Sequence, residues 1–400
     1  MNAARPPGWR LLVVSAAAIG IATLVPTGGS GTTASGCILC GHRGLSDFIS
    51  NILLFAPLGF ALGRRGQPLL RAAAIGAAYS LGIELAQMDL IPGRDANLGD
   101  LVANSLGAVA GWGAGFRRGW WTRSGSDTGR CLGAAAATAV LLLGALALFA
   151  PSLPDSTYYM QWTARFGNMA AYDGRVLSTR IGPLDIPGRQ RIEQTDSVRE
   201  LLFGQPLEIV AVAASPPDIA PIVSIYDDRQ RQIMLLGAER ADLIYRYRML
   251  ADELLLDHGD LRVHQAFERV EPGTTFRLRW VVDRRGYCLE LDGRSECGRG
   301  FTVGDTWTLL MALDWGTDER AVLRALWLWG IFLPAGFLAR RARTLAAAGL
   351  LAALLLLAGP LLLGFAATPV HQVAAALMGL LTGRLAAWRS AFSDHAGQRV

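Results

Sequence analysis

Apolar and polar positions along this chain follow two different periods. Long apolar runs occupy about 9–26, 48–64, 69–90, 98–116, 131–150, 321–339, 345–366 and 370–388. Runs of about 18 or more apolar residues have the length of helices that cross a bilayer. Between 152 and 319 the texture changes to short runs rich in β-branched and aromatic residues: "PLEIVAVAA" (206–214), "PIVSIYDD" (221–228), "DLIYRYRM" (242–249), "TTFRLRWVV" (274–282) and "TWTLLMALDW" (306–315). Several alternate, with Leu243, Tyr245 and Tyr247 on one face and Ile244, Arg246 and Arg248 on the other. That is the pattern of an antiparallel β-sandwich. The pattern predicts an α-helical polytopic membrane protein of about eight spans with an inserted all-β sandwich, jelly-roll-like. Its three parts are 1–151 (five spans), 152–319 (the sandwich) and 320–400 (three spans and a tail).

One hairpin can be written out in full. In "CLELDGRSEC", Asp292-Gly293 is a two-residue turn signal, because a type I′ turn needs positive φ at both central positions. The register then sets Leu291 against Arg294, Glu290 against Ser295, Leu289 against Glu296 and Cys288 against Cys297. Alternation makes the last a non-hydrogen-bonded pair, close enough for a disulfide. Cys37 and Cys40 form a CxxC without the second pair that a structural zinc site needs, so no metal is expected there.

Composition agrees with a membrane setting: 52% of the 400 residues are hydrophobic and 18% charged, and the mean hydropathy is +0.30. The net charge of +5 would fit a nucleic-acid partner if the basic residues formed one patch. They do not. The chain has no lysine, and its arginines near helix ends fall in five groups: Arg5 and Arg10; Arg64, Arg65 and Arg71; Arg117, Arg118, Arg123 and Arg130; Arg340, Arg341 and Arg343; Arg384 and Arg389. Eight spans put all five groups on one side, which the positive-inside rule makes the cytoplasm. Both termini are then cytoplasmic, 152–319 is extracytoplasmic, and no nucleic-acid role is expected. The opening segment also reads as a cleavable signal peptide, which would leave the remaining topology unchanged.

The candidate chemistry lies in a repeat. "LSDFISNILLFAPLGF" (45–60) and "LGDLVANSLGAVAGW" (98–112) each open an apolar helix with Asp-x-x-x-Asn: Asp47 and Asn51, then Asp100 and Asn104. Four residues apart is one helix face. In the second copy that face continues as Gly107 and Gly111, small residues that allow close helix packing. The helix between them ends with Glu84 and Gln87, and the loop "IPGRDANLGD" adds Arg94 and Asp95. All eight polar residues are expected at one depth on the outer side of the bundle. Asp47 and Asp100 also read as helix N-caps. That reading does not reach Asn51, Asn104, Glu84 and Gln87, which lie a turn or more inside their helices. Ionisable groups inside spans are costly, face the bundle interior and mark function.

These stretches, with "SLGIELAQ", resemble the VanZ-like family of bacterial membrane proteins over about residues 45–116. The family is named for a member linked to glycopeptide antibiotic resistance. The resemblance implies a shared site of Asp47, Asn51, Glu84, Gln87, Arg94, Asp95, Asp100 and Asn104. The stretch "RQIMLLGAERADLIYRYR" resembles the concanavalin-like or laminin-G-like domains fused to some VanZ-like proteins, and jelly rolls often bind sugars. Three functions fit: an envelope accessory protein that recognises a membrane lipid, a cell-wall glycan or a lipid-linked glycan; an enzyme acting on a lipid-linked substrate at the outer leaflet; and a proton-coupled transporter. The first is favoured, because the bundle shows neither a nucleophile with its base nor acidic residues continuing inward. No cofactor is expected. His258 and His264 read as surface or sheet residues, and the acidic stretches at 227–229 and 251–253 as turns.

Overall fold

The computed structural model describes residues 8–24, 36–39, 41–90, 97–117, 127–163, 165, 169–311 and 317–396. Among the described residues there are eight long helices: α1 (Trp9–Leu24), α2 (Gly44–Arg64), α3 (Leu69–Leu90), α4 (Leu98–Phe116), α5 (Asp127–Ala147), α6 (Thr317–Phe337), α7 (Ala342–Leu362) and α8 (Val370–Ala396). Among the described residues six of them, α2, α3 and α5 to α8, contain stretches long and apolar enough to cross a membrane. α1 is apolar but has 16 residues, and α4 carries Asp100, Asn104 and a run of glycines.

The chain divides into two compact units. The first holds α1 to α4 with two distant segments, Asp252–Asp257 and Leu309–Ala312. α2 and α4 make its tightest contact, for a reason visible in their sequences. A Cβ added to Gly107 would lie 2.3 Å from the Ile52 carbonyl oxygen, one at Gly111 would lie 1.9 Å from that of Ala56, and one at Gly115 would lie 2.3 Å from that of Phe60. Gly59 and Gly63 answer from α2, against the carbonyls of Ala108 and Trp112. Small residues every fourth position let two backbones touch, which is how helices associate where lipid tails leave little hydrophobic gain. Beside this seam Ile19, Phe55, Leu58 and Ile83 form a buried cluster, flanked by Leu12, Ala16, Leu54 and Tyr79.

The second unit contains α5, the β-rich region and α6 to α8. Within this unit α5 packs on α7 and α6. Thr128 of α5 hydrogen-bonds Thr344 of α7, and Asp127 pairs with Arg340.

The β-rich region comprises β1 (Tyr158–Trp162), β2 (Arg175–Ile181), β3 (Leu184–Asp185), β4 (Gln190–Arg191), β5 (Leu207–Val212), β6 (Ala220–Asp227), β7 (Gln232–Glu239), β8 (Asp242–Tyr247), β9 (Leu261–Val263), β10 (Thr275–Val282), β11 (Gly286–Leu291) and β12 (Arg294–Arg299). They form two six-stranded sheets, β4-β1-β6-β7-β8-β9 and β12-β11-β10-β5-β2-β3, with antiparallel neighbours throughout. Tyr245 of β8 meets the fully buried Trp280 of β10, so the inner faces of the sheets pack together. Ile244, on the opposite face of β8, is also buried, so this sheet is covered on both sides.

In the β11–β12 hairpin Cys288 faces Cys297 and Leu291 faces Arg294, around Asp292 and Gly293 at φ 48° and 80°. Cys288 and Cys297 are disulfide-bonded, with their Cα atoms 4.1 Å apart. Cys37 is also disulfide-bonded, and Cys40 lies outside the described residues.

One expected strand, 306–315, does not form over its described residues 306–311, and the rest of it lies outside the described residues. Residues 303–309, overlapping the run that begins at 306, form a 3-10 helix. The Asp305 carboxylate accepts from both the backbone N–H and the hydroxyl of Thr302, and the hydroxyls of Thr306 and Thr308 donate back to the carbonyls of Val303 and Asp305. This Thr-x-x-Asp arrangement starts a helical turn, and it outweighs the β-propensity of the residues that follow.

Candidate functional site

The polar groups of the first unit are drawn together by the ends of α2, α3 and α4. Asn97 organises the start of α4: its side chain accepts from the N–H of Gly99 at 2.9 Å, and its own N–H donates to Glu84 Oε2 of α3 at 2.8 Å. Asn97 is therefore the N-cap, and Asp100 stands at the third helical position. Asp100 Oδ1 instead accepts from Asn51 Nδ2 of α2 at 2.8 Å. Glu84 is 7% exposed. Three helices thus meet at two carboxylates.

α2 is not capped by its own aspartate either. Arg43 precedes it without a side-chain capping bond. The first-turn N–H groups of Leu45 and Ser46 point to the carbonyl of Leu255, a residue held at φ 55°. The Ser46 hydroxyl donates to the Leu309 carbonyl and accepts from the N–H of Asp257; Ser50 donates to the Leu310 carbonyl at 2.9 Å, and Arg43 pairs with Asp257 at 3.0 Å. The orphan donors of a helix start need partners, and here a remote segment supplies them. Asp47 stays on the exposed side of this turn.

The two Asp-x-x-x-Asn copies are not used symmetrically. Asn51 of the first bonds Asp100 of the second. Asn104 does not return the contact; its Nδ2 donates to Ser80 Oγ of α3 at 2.9 Å. Asn104 is 2% exposed and its Oδ1 accepts no hydrogen bond among the described residues. A buried, unpaired acceptor is costly, about 1–3 kcal/mol. Gln87 belongs to a different contact: its Nε2 donates to the Thr23 carbonyl of α1 at 2.9 Å. Arg94 and Asp95 lie outside the described residues.

Ser80 and Asn97 were not among the residues singled out from the sequence. Both carried a signal. Ser80 is four residues before Glu84 and so on its face of α3, and Asn97 sits where an N-cap belongs. The arrangement concentrates acceptors: Glu84, Asp100 and the Asn104 carbonyl on adjoining helices, most of them buried. Among the described residues no three His, Cys, Asp or Glu side chains converge to hold a metal ion.

In the sandwich, Asp227 is a turn residue. Its carboxylate accepts from the N–H groups of Arg229 and Arg231 and pairs with the Arg231 guanidinium. Burial pushes its pKa up, but the Arg231 and Arg229 contacts outweigh that and hold it below the usual carboxylate range. His264 hydrogen-bonds Asp242 at 3.0 Å on the surface.

Residues 12–117 match the model of the family described as VanZ/LLP1. The match covers most of α1, all of α2 to α4 and the described polar residues that these helices and Asn97 contribute, and it ends before the sandwich. No curated protein and no solved structure matches the chain. The matched segment and the membrane-length apolar helices together fit a membrane protein of the VanZ type, carrying a separate β-sheet-rich region.

Proposed function

We propose that this protein sits in the plasma membrane of a bacterial cell envelope and recognises a lipid-linked envelope component through the polar cluster of α2, α3 and α4. The observation that carries the reading is the surplus of buried acceptors there. The buried Glu84 and the unpartnered Asn104 Oδ1 ask for a ligand rich in N–H or O–H donors, such as the hydroxyls of a glycan headgroup or an amine. In this reading Asp47 and Asn51 shape the mouth of the cluster, and Gln87, Arg94 and Asp95 are assigned to it from the sequence alone. All eight helices cross the bilayer, both termini are cytoplasmic, and 152–319 is extracytoplasmic. The arginine groups support that orientation, and the Cys288–Cys297 bridge suits an oxidising compartment. The sandwich is read as a jelly-roll-like module that binds a cell-wall glycan, on fold analogy.

Native mass spectrometry of the gently solubilised protein tests the binding. A retained lipid should be present in wild type and lost in Asp100→Asn and in Asn104→Leu, while Leu106→Ala, on an exposed surface, retains it. Equal lipid retention in all four proteins would overturn the reading. Orientation is checked separately: in intact cells an impermeant thiol reagent should label Asp218→Cys and not Pro68→Cys.

A further inference from the structure

The second unit holds a cavity of about 300 Å³ where the first turns of α6 and α8 meet the ends of β9 and β12. Its wall is basic. Arg320 and Arg324, four residues apart on one face of α6, line it with Arg262 and Arg299, and His371 stands at the start of α8. The acidic lining residues are Asp260 and Asp305.

Both carboxylates are already committed. Asp260, 8% exposed, takes Arg320 Nη1 at 2.8 Å and Arg262 Nη2 at 3.3 Å. Burial pushes its pKa up, but Arg320, Arg246 and Arg262 outweigh it and hold the group at about 2. Asp305 accepts the Thr302 N–H and hydroxyl on one oxygen and Arg324 Nε on the other. Arg262 is further consumed by Glu239 and Asp242.

What remains is one unpaired guanidinium, Arg299, and the outer donors of a second that is paired only through Nε, Arg324. Among the described residues the two Nη groups of Arg324 have no protein partner, and Arg299 makes no side-chain hydrogen bond or ion pair. The frame around them is rigid. Gln372, 2% exposed, accepts the N–H of Gly304 and donates to Thr302 Oγ1, which ties the first turn of α8 to the 3-10 helix. The cavity sits at the N-terminal ends of two membrane-length helices, and the ends of a spanning helix fall in the polar headgroup region of a bilayer.

We infer that this cavity is a binding site for a phosphate-ester anion, held by the guanidinium groups of Arg299 and Arg324. Planar guanidinium donors match phosphate oxygens in pairs; the carboxylates hold Arg320, Arg262 and, through Nε, Arg324 in place while leaving Arg299 and the Nη groups of Arg324 to a ligand. The site is separate from the α2–α4 cluster and does not rest on the function proposed for it. The phosphate ester is either the headgroup of an anionic phospholipid or a soluble molecule.

The full-length protein in detergent is titrated with short-chain phosphatidylglycerol, with short-chain phosphatidylcholine and with glycerol 3-phosphate, reading melting temperature and affinity. Wild type should be stabilised by phosphatidylglycerol more than by phosphatidylcholine if the source is lipid, and by glycerol 3-phosphate if it is soluble. Either effect should weaken at least about tenfold in Arg299→Gln and further in Arg299→Gln/Arg324→Gln, from loss of charge-assisted bonds. Arg299→Gln breaks no protein contact, so it folds whether or not Arg324→Gln is tolerated. Arg279→Gln, which removes a surface charge paired with Glu208 and Glu290, should bind as wild type. No stabilisation of wild type by any anion, or equal affinity in wild type and Arg299→Gln, would overturn the assignment.

Discussion

Gly111→Ala is the sharpest perturbation of the α2–α4 seam. The added Cβ would sit 1.9 Å from the Ala56 carbonyl oxygen, where ordinary contact begins at 3.4 Å. The atom in the way is backbone and cannot rotate aside. The two helices must therefore separate locally by about 1.5 Å, the difference between those distances. Overpacking of this kind costs about 1–3 kcal/mol. Alanine is otherwise the better helix former by up to about 1 kcal/mol, so the net loss should be about 1–2 kcal/mol. Gly113, two residues on, supplies the control: a Cβ there meets nothing within 4 Å, and Gly113→Ala should be neutral or stabilising. The same opening would stretch the Asn51–Asp100 bond, now 2.8 Å, past hydrogen-bonding distance. Gly111→Ala should thus lower the melting temperature in detergent and also release any lipid retained by the bundle, although it touches no polar residue. The assay is thermal unfolding followed by intrinsic fluorescence, paired with native mass spectrometry. Equal melting temperatures for Gly111→Ala and Gly113→Ala would refute the claim that backbone contact holds this seam.

Other outcomes follow from the same geometry. Asp100→Asn removes the acceptor charge facing Asn51 but leaves Asn97 to cap α4, so expression and melting should stay near wild type while any envelope phenotype of a deletion strain, glycopeptide sensitivity included, should not be complemented. Asp260 is buried, and its descent from an ordinary 3.8 to about 2 corresponds to about 2 kcal/mol. A lowered folded pKa stabilises above the unfolded value, so this contribution is complete above about pH 4 and is lost as pH falls through 2; Asp260→Asn should flatten an acid-unfolding curve across that window. Cys288→Ser opens a short loop and should destabilise the sandwich by no more than about 2–3 kcal/mol, read as a shift in urea midpoint; an unchanged midpoint would remove the bridge from the stabilising contacts.

The sequence by itself determined the helices and most of the strands. Helical apolar runs are governed by local chemistry: α3 and α4 end where their apolar patterns end, and the β11–β12 register follows from the φ values that Asp292-Gly293 accepts. It also drew attention to Asp47, Asn51, Glu84, Gln87, Asp100 and Asn104, because polar groups inside apolar helices stand out against their neighbours. It could not assign their partners. Each asparagine offers two donors to whichever acceptor the packing brings within 3 Å, and only the glycine seam decides that Asn51 reaches Asp100 while Asn104 reaches Ser80. Capping was likewise settled in three dimensions: the first-turn donors of α2 are satisfied by Leu255, some 210 residues away in sequence, because chain entropy lets any segment that packs there supply a carbonyl. The strand expected from residue 306 gave way to a Thr302–Asp305 turn, where specific hydrogen bonds override a weak propensity. The basic cavity was invisible for the same reason. Arg262, Arg299, Arg320 and Arg324 are unremarkable along the chain, and they become a site only where β9, β12 and α6 converge and the nearby carboxylates are already spent.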